Sequence, residues 1–167
     1  MDAVWFSADH HFYHKNIIRY CNRPFKDINE MGRKLIKNHN ELVKENDICY
    51  FIGDFAFLGK SHVNKVESIL NKLNGRKVLI LGNHDEGNPF TYVNLGFESV
   101  HTSLILPEDN DFILCHDPAC SIVDKNRKWI VGHVHDLFFT QGNCINVGVD
   151  IHNYKPVSLD FIKSIDK

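Results

Sequence analysis

Ile48-Cys49-Tyr50-Phe51-Ile52-Gly53-Asp54 is an unbroken apolar run that stops at a glycine and a carboxylate. A run of that texture and length reads as a strand buried on both faces. Outward from it the same pattern recurs. Val4–Ala8 leads into Asp9-His10-His11, and Lys77–Leu81 into Gly82-Asn83-His84-Asp85. Phe112–Cys115 ends in His116, and Trp129–Val131 in Gly132-His133-Val134-His135. Each of these apolar runs finishes in groups that bind metals or move protons. In open α/β sheets, ligands bind beyond the carboxyl ends of the strands.

The segments between them are helical or short and β-like. A helical piece covers Asn16–Tyr20. A longer helix is expected over Ile28–Glu45, started by Asp27 with Glu30 three residues on, as in a capping box. Its Met31, Leu35, Leu42 and Val43 share a face. Ser61–Leu73 is the clearest helix: Ser61 caps it, Val63, Val66, Ile69, Leu70 and Leu73 form a stripe, and Asn74-Gly75 supplies a left-handed stop. Further on, Ser99–His101, Ser103–Leu106, Asp111–Cys115, Lys128–Gly132, Leu137–Thr140 and Asn143–Val149 are short β candidates. Turns at Pro107–Asn110 and Gln141–Asn143 separate some of them. A short helix is expected near Leu159–Ile165. The first half reads β-α-β-α-β and the second mostly β, which predicts an α/β fold of two packed sheets with helices outside.

The 167 residues are the size of one domain, taken as 1–167, and 43% hydrophobic with 24% charged residues is ordinary globular composition. No eighteen-residue apolar run marks a membrane helix, and the N-terminus has no basic-then-apolar secretory pattern. A net charge of −2 excludes a strongly basic nucleic-acid binder, though not a local basic patch. Five Cys without a C-x-x-C pair read as reduced, buried thiols of a cytoplasmic protein. The unusual count is 11 His against 10 Gly, since histidine is the commonest transition-metal ligand.

Taken singly, Asp9 or Asp54 could cap a turn, Gly82–Asp85 could be only a turn, and His116 a structural histidine. His133-x-His135 says more, because positions i and i+2 of an extended segment point to one side, and Gly132 allows close backbone approach. The same alternation selects His11 over His10 as partner of Asp9. His39, His62, His101 and His152 lack such a setting and are assigned to surface or packing. The strand-end set of Asp9, His11, Asp54, Asn83, His84, His116, His133 and His135 exceeds one tetrahedral zinc, and no Cys completes a knuckle. Two ions about 3.5–4 Å apart would use it, with Asp54 bridging them because Gly53 permits close approach.

In this order, D-x-H (Asp9, His11), G-D (Gly53, Asp54), G-N-H-D (Gly82–Asp85), His116 and G-H-x-H (Gly132–His135) resemble the calcineurin-like metallophosphoesterases, from residue 5 to about residue 150. The stretch His11–Phe25, with Asn146-Val-Gly-Val-Asp150 and Tyr154-Lys-Pro-Val157, is similar to a small bacterial and phage-associated branch of phosphoesterases. The resemblance implies a two-sheet sandwich flanked by helices, of αββα type, with a dinuclear site at one edge. It implies that Asp9, His11 and His135 hold the first metal, that Asn83, His116 and His133 hold the second, that Asp54 bridges, and that His84 stands beside the site. His10 and Asp117-Pro118 depart from the usual pattern, and neither removes a ligand.

The chemistry implied is phosphoester hydrolysis. Two divalent ions, Mn first and Fe, Zn, Ni or Co also compatible with imidazole, carboxylate and amide donors, lower the pKa of a bridging water and hold a phosphate oxygen. His84 would protonate the leaving oxygen, and Asp85 would orient the loop or that ring. His14, Asn16, Arg19 and Arg23 follow the first metal loop as substrate-contact candidates, an arginine clamping a phosphate in two-point fashion. A small phosphodiester is the expected substrate, with no membrane partner. A monoesterase or a nuclease on the same site is the alternative, although no long basic stretch holds a polymer. A C–N or C–O metallohydrolase is disfavoured because the H-x-H comes late. A non-enzymatic scaffold of the same fold is disfavoured because every ligand is present.

Overall fold

A computed structural model describes residues 2–57, 63–85 and 87–165. In chain order the elements are β1 (Val4–Ser7), α1 (Ile17–Tyr20), α2 (Ile28–Leu42), β2 (Ile48–Ile52), α3 (Val63–Leu70), β3 (Arg76–Ile80), α4 (Pro89–Leu95), β4 (Ser99–His101), β5 (Ser103–Ile105), β6 (Phe112–Cys115), a 3-10 helix (Pro118–Val123), β7 (Lys128–Val131), β8 (Thr140–Gln141), β9 (Cys144–Asn146), β10 (Val157–Ser158) and α5 (Leu159–Ser164). This is a mixed α/β fold with two five-stranded mixed sheets, ordered β10-β1-β2-β3-β4 and β5-β6-β7-β9-β8. In the first sheet β1 to β4 run parallel, with β10 antiparallel at the edge of β1. In the second, β6, β7 and β9 run parallel between antiparallel edges.

Strand alternation sorts the apolar residues into layers. Phe6, Tyr50, Ile52, Val78 and Ile80 of the first sheet share a buried core with Phe112, Leu114, Ile130 and Ile145 of the second. The alternate positions Cys49, Phe51 and Leu79 pack against Met31 and Leu35 of α2, Val66, Ile69 and Leu70 of α3, and Tyr92 and Leu95 of α4. The outer face of the second sheet, with Ile113, Cys115, Trp129, Val131 and Cys144, is met by Cys120 of the 3-10 helix and Phe138. The runs around β2, β3, β6 and β7 look solidly apolar because both their faces are covered.

Local chemistry sets the element ends. Asp27 caps α2, accepting from the N–H groups of Asn29 and Glu30, while Glu30 accepts from the N–H of Lys26. The helix stops at Leu42, short of the expected Glu45. Val43 turns extended to enter the core, and the Lys44 N–H goes to Asp47. Gly75 is left-handed with φ +84°, but it opens β3 rather than directly following α3. Ser61 and His62 lie outside the described residues. Leu137–Thr140 is a correction: the chain turns there, with the Leu137 N–H on the Val134 carbonyl, and a strand begins only at Thr140. Sequence reasoning missed α4, although Asn88-Pro89 places a capping side chain and a proline at its start.

The loops after β1 and β2 travel together. The N–H groups of Asp9, His11 and Phe12 donate to the carbonyls of Gly53, Asp54 and Phe55. At the same end, Ala8 pairs in parallel with Gly148 just beyond β9, so the two sheets are joined where the strand-end residues gather.

Candidate functional site

Asp9, His11, Asp54, His133 and His135 all have positive φ, between 49° and 73°. This corrects the alternation argument. Asp9-x-His11 and His133-x-His135 are not extended, and their side chains converge because left-handed turns just past the strands aim them inward. Such backbone is costly for residues with a Cβ and persists only where the surroundings fix it. Two glycines make room, as their sequence positions suggest. A Cβ on Gly53 would lie 2.3 Å from Nδ1 of His116, and one on Gly132 would lie 2.7 Å from Cβ of Ala8.

Asp9, His11 and His135 present ligand atoms within 4.8 Å of one another, and so do Asp9, Asp54 and His116. The groups therefore share Asp9. Asp54 reaches both as well, its Oδ2 lying 3.4 Å from Nε2 of His11 and 3.5 Å from Nε2 of His116. Asn83 completes the second side. Its Oδ1 is 3.1 Å from Nε2 of His116 and 2.9 Å from Nδ1 of His133. The His133 backbone N–H donates to both oxygens of Asp9. All of the ligands implied by the sequence are thus gathered in one place.

The ring orientations are set from behind. Nδ1 of His116 donates to the Ile52 carbonyl at 2.8 Å, which turns Nε2 toward Asp54. Nδ1 of His135 donates to Asp150 at 2.8 Å. Nδ1 of His11 lies 3.2 Å from Nδ1 of His14, which leaves Nε2 of His11 toward Asp54. Buried Nε2 of His11 has no hydrogen-bond partner.

Electrostatics follow from burial. Burial pushes Asp9 up to about 6, although His116, His135 and the His133 N–H pull the other way. Burial holds His11 down at about 3, so its approach to Asp54 is that of a neutral ring and not an ion pair. Burial would also raise Asp54, but the bonds and charges of His116, His84 and His11 outweigh it and bring it to about 2. Burial lowers His116 and His135, yet Asp54 and Asp9 carry the first up to about 9, and Asp150, Cys21 and Asp9 carry the second up to about 10. Three carboxylates, Asp9, Asp54 and Asp150, thus draw positive charge onto their own neighbours. An orphaned neutral ring nitrogen beside two carboxylates, three further imidazoles and an amide oxygen is a donor set that fits divalent cations.

The other expected site residues divide. His84 is exposed, its ring 5.4 Å from that of His11 and 5.8 Å from that of His14, with its N–H on Oδ1 of Asp54. His14 is half-buried at the rim, beside Phe57 and Tyr20. Asn16 is exposed and starts α1 without a side-chain cap; with Arg19 it lines a separate groove. Asp85 is buried and accepts from the N–H groups of Asp54, Phe55 and Gly82, so it holds two turns and does not reach a reacting group. Arg23 is the clearest correction. It is buried, and its guanidinium is spent on Asp150, the carbonyls of Asp9 and His10, and Sδ of Met31. It clamps no substrate.

His10 is a core histidine, bonded to Ser7 and ringed by Phe12, Phe51 and Phe55, with burial holding it well below its ordinary value. Of the histidines set aside, His39, His101 and His152 bond Asn74, Ser99 and Asn146. Asp150 was missed as a site residue. Its only sequence signal is the segment Asn146–Asp150.

No family model matches the chain. It is similar to the crystal structure of the protein of unknown function AQ665 from Aquifex aeolicus, with a TM-score of 0.80 and 26% identity over 99% of this chain and 100% of that one. It is 33% identical over 191 residues to the Gene 66 protein of Mycobacterium phage D29, covering 94% of this chain and 93% of the relative. It is 39% identical over 178 residues to the uncharacterized protein MJ1445 of Methanocaldococcus jannaschii, covering 100% of this chain and 93% of the relative. Identity of that degree along the whole length means that the chain belongs to the family of the uncharacterized protein MJ1445.

Proposed function

We propose that the chain is a metal-dependent phosphoesterase of the calcineurin-like kind, hydrolysing small phosphodiesters at a dinuclear centre. The observation that carries this reading is the pair of ligand groups sharing Asp9, with Oδ2 of Asp54 between His11 and His116. The architecture supports it: two five-stranded sheets with a shared core and ligands on the loops beyond their strands suit the metallophosphoesterase sandwich.

Asp9, His11 and His135 would hold one ion, Asn83, His116 and His133 the other, and Asp54 would touch both. Divalent ions bound there supply Lewis acidity toward a phosphoryl oxygen and a source of hydroxide near neutral pH. The chain's own residues do the rest. Ile52, Asp150 and His14 fix three imidazoles from behind, so that ring nitrogens face the centre without reorganisation. Asp85 keeps the turns bearing Asp54 and Asn83 at one separation. Hydrolysis breaks the P–O bond to the leaving alcohol, whose oxygen needs a proton. His84, exposed beside His11, would give it. Exposed Asn83, His84 and His133 leave the centre open to solvent and substrate.

No helix among the described residues is long and apolar enough to cross a membrane, and the cysteines are free thiols. Both accord with a reduced, cytoplasmic setting for this chemistry. The test is reconstitution of metal-free protein with Mn, Ni, Fe or Zn, followed by assay on mono- and diesters, cyclic dinucleotides and single-stranded DNA. Metal-dependent turnover of small esters is the expected result. Failure to bind divalent metal would reject the reading, and metal-dependent degradation of a long strand would move it to nuclease.

A further inference from the structure

Beside the centre lies a third cluster that the proposed function does not use. Cys21, His135 and Asp150 also present ligand atoms within 4.8 Å of one another. Thiolate, imidazole and carboxylate are a set that softer divalent metals favour. His135 belongs to this cluster and to the group with Asp9 and His11, so an ion in one competes with an ion in the other.

Arg23 settles that competition. Its Nε donates to Oδ1 of Asp150 at 2.8 Å and its Nη2 to Oδ2 at 2.9 Å, a two-point pair buried from solvent. Nδ1 of His135 takes Oδ2 as well, at 2.8 Å. The remaining guanidinium donors reach the carbonyls of Asp9 at 2.7 Å and His10 at 3.0 Å, on the loop that carries Asp9 and His11. A single cation therefore takes both oxygens of Asp150, the carboxylate that holds Nδ1 of His135, and ties down the carbonyls of Asp9 and His10.

Resting on the metal-centre reading above, we infer that Arg23 is a positioning residue that occupies the third cluster in place of a metal ion. It thereby commits His135 to the first ion and keeps Cys21 from ligating. This gives a role to the two segments that the reaction leaves unexplained: Arg23 lies in the stretch His11–Phe25, Asp150 closes Asn146–Asp150, and the pair joins them across 127 positions of sequence. A lysine would not serve, since an ammonium point charge has three donors to set against five in a planar fork.

Cobalt(II) is the probe, because a thiolate ligand gives it a charge-transfer band in the near ultraviolet. Wild-type protein should bind two cobalt ions per chain without that band. Arg23→Gln should acquire the band, and Arg23→Gln with Cys21→Ser should lose it again. Asp150→Ala, which leaves Arg23 bonded to the Asp9 and His10 carbonyls, is the second variant should the first not fold. It should keep one ion and lose the other, because His135 is no longer aimed. A thiolate band in the wild type would overturn the inference, as would two ions without a band in either variant. A wild type that takes up no cobalt would overturn the metal-centre reading and this inference with it.

Discussion

Asp85 holds Asp54 by the backbone: its Oδ2 accepts from the Asp54 N–H at 2.8 Å while also accepting from that of Gly82. Its Oδ1 accepts from Phe55. One buried carboxylate therefore sets the spacing of the turns beyond β2 and β3. Asp85→Ala leaves these N–H groups without their acceptor, at about 1–3 kcal/mol for each buried orphan. We expect a loss of at least about 3 kcal/mol in urea unfolding, with weaker metal binding. Asp85→Asn keeps one oxygen and should fall between. Wild-type stability in the alanine variant would show that the turns hold themselves.

Asp54→Asn tests the bridge. The side chain keeps its shape but loses the charge shared between His11 and His116. Metal content measured on purified protein should drop from two ions per chain. Full occupancy would assign the bridging role to Asp9, the residue common to both ligand groups.

His84→Ala should retain both ions and lose about two to four orders of magnitude in turnover, the usual size of an acid–base contribution. The loss should be smaller for a nitrophenolate leaving group, which needs little protonation, than for an alkoxide. Equal losses for the two would mean that His84 orients the substrate instead.

On the proposed function, an open centre with a single leaving-group acid would favour a diester over the more highly charged monoester. Side-by-side kinetics under one metal should give bis(p-nitrophenyl) phosphate or a cyclic nucleotide the higher kcat/KM. A clear monoester preference would make the protein a phosphatase.

His39 supplies a pH test away from the centre. Burial holds it at about 4, with Lys77 adding to the effect, while the Asn74 carbonyl opposes it by accepting from Nε2. Buried Nδ1 has no partner, and the charged form of His39 also acts on His10. The unfolded ring takes its proton near 6.5, the folded ring only near 4. The unfolded state therefore binds more protons in that window, and stability falls as pH drops through it. The shift corresponds to on the order of 3 kcal/mol. His39→Gln, whose amide can still donate to Asn74, should lose less stability than the wild type between pH 7.5 and 4.5. Parallel urea titrations would show the difference, and identical losses would clear His39 of the effect.

The strands were legible because burial on both faces writes solid apolar runs at β2, β3, β6 and β7. The residues that cluster at the candidate site were legible because each stands where such a run stops. The reason for their convergence was not. Alternation along a strand is a regular property, whereas the left-handed backbone of Asp9, His11, Asp54, His133 and His135 is imposed by the packing around it. Arg23 was misread for a related cause. Its neighbours in sequence suggest a rim residue, while the partner that buries it is 127 positions away. Asp150 was passed over because only the folded chain puts it against His135.

On the proposed function, that long closure bears on how the protein would acquire its ions. The His133 N–H meets Asp9 across 124 positions, and His135 is aimed only once Asp150 is in place. A chain still emerging from the ribosome has Asp9, His11, Asp54 and Asn83 long before the residues that finish either ligand group. On the proposed function, half-made protein would offer no complete ligand set to a scavenging ion, and loading would wait for His133, His135 and Asp150.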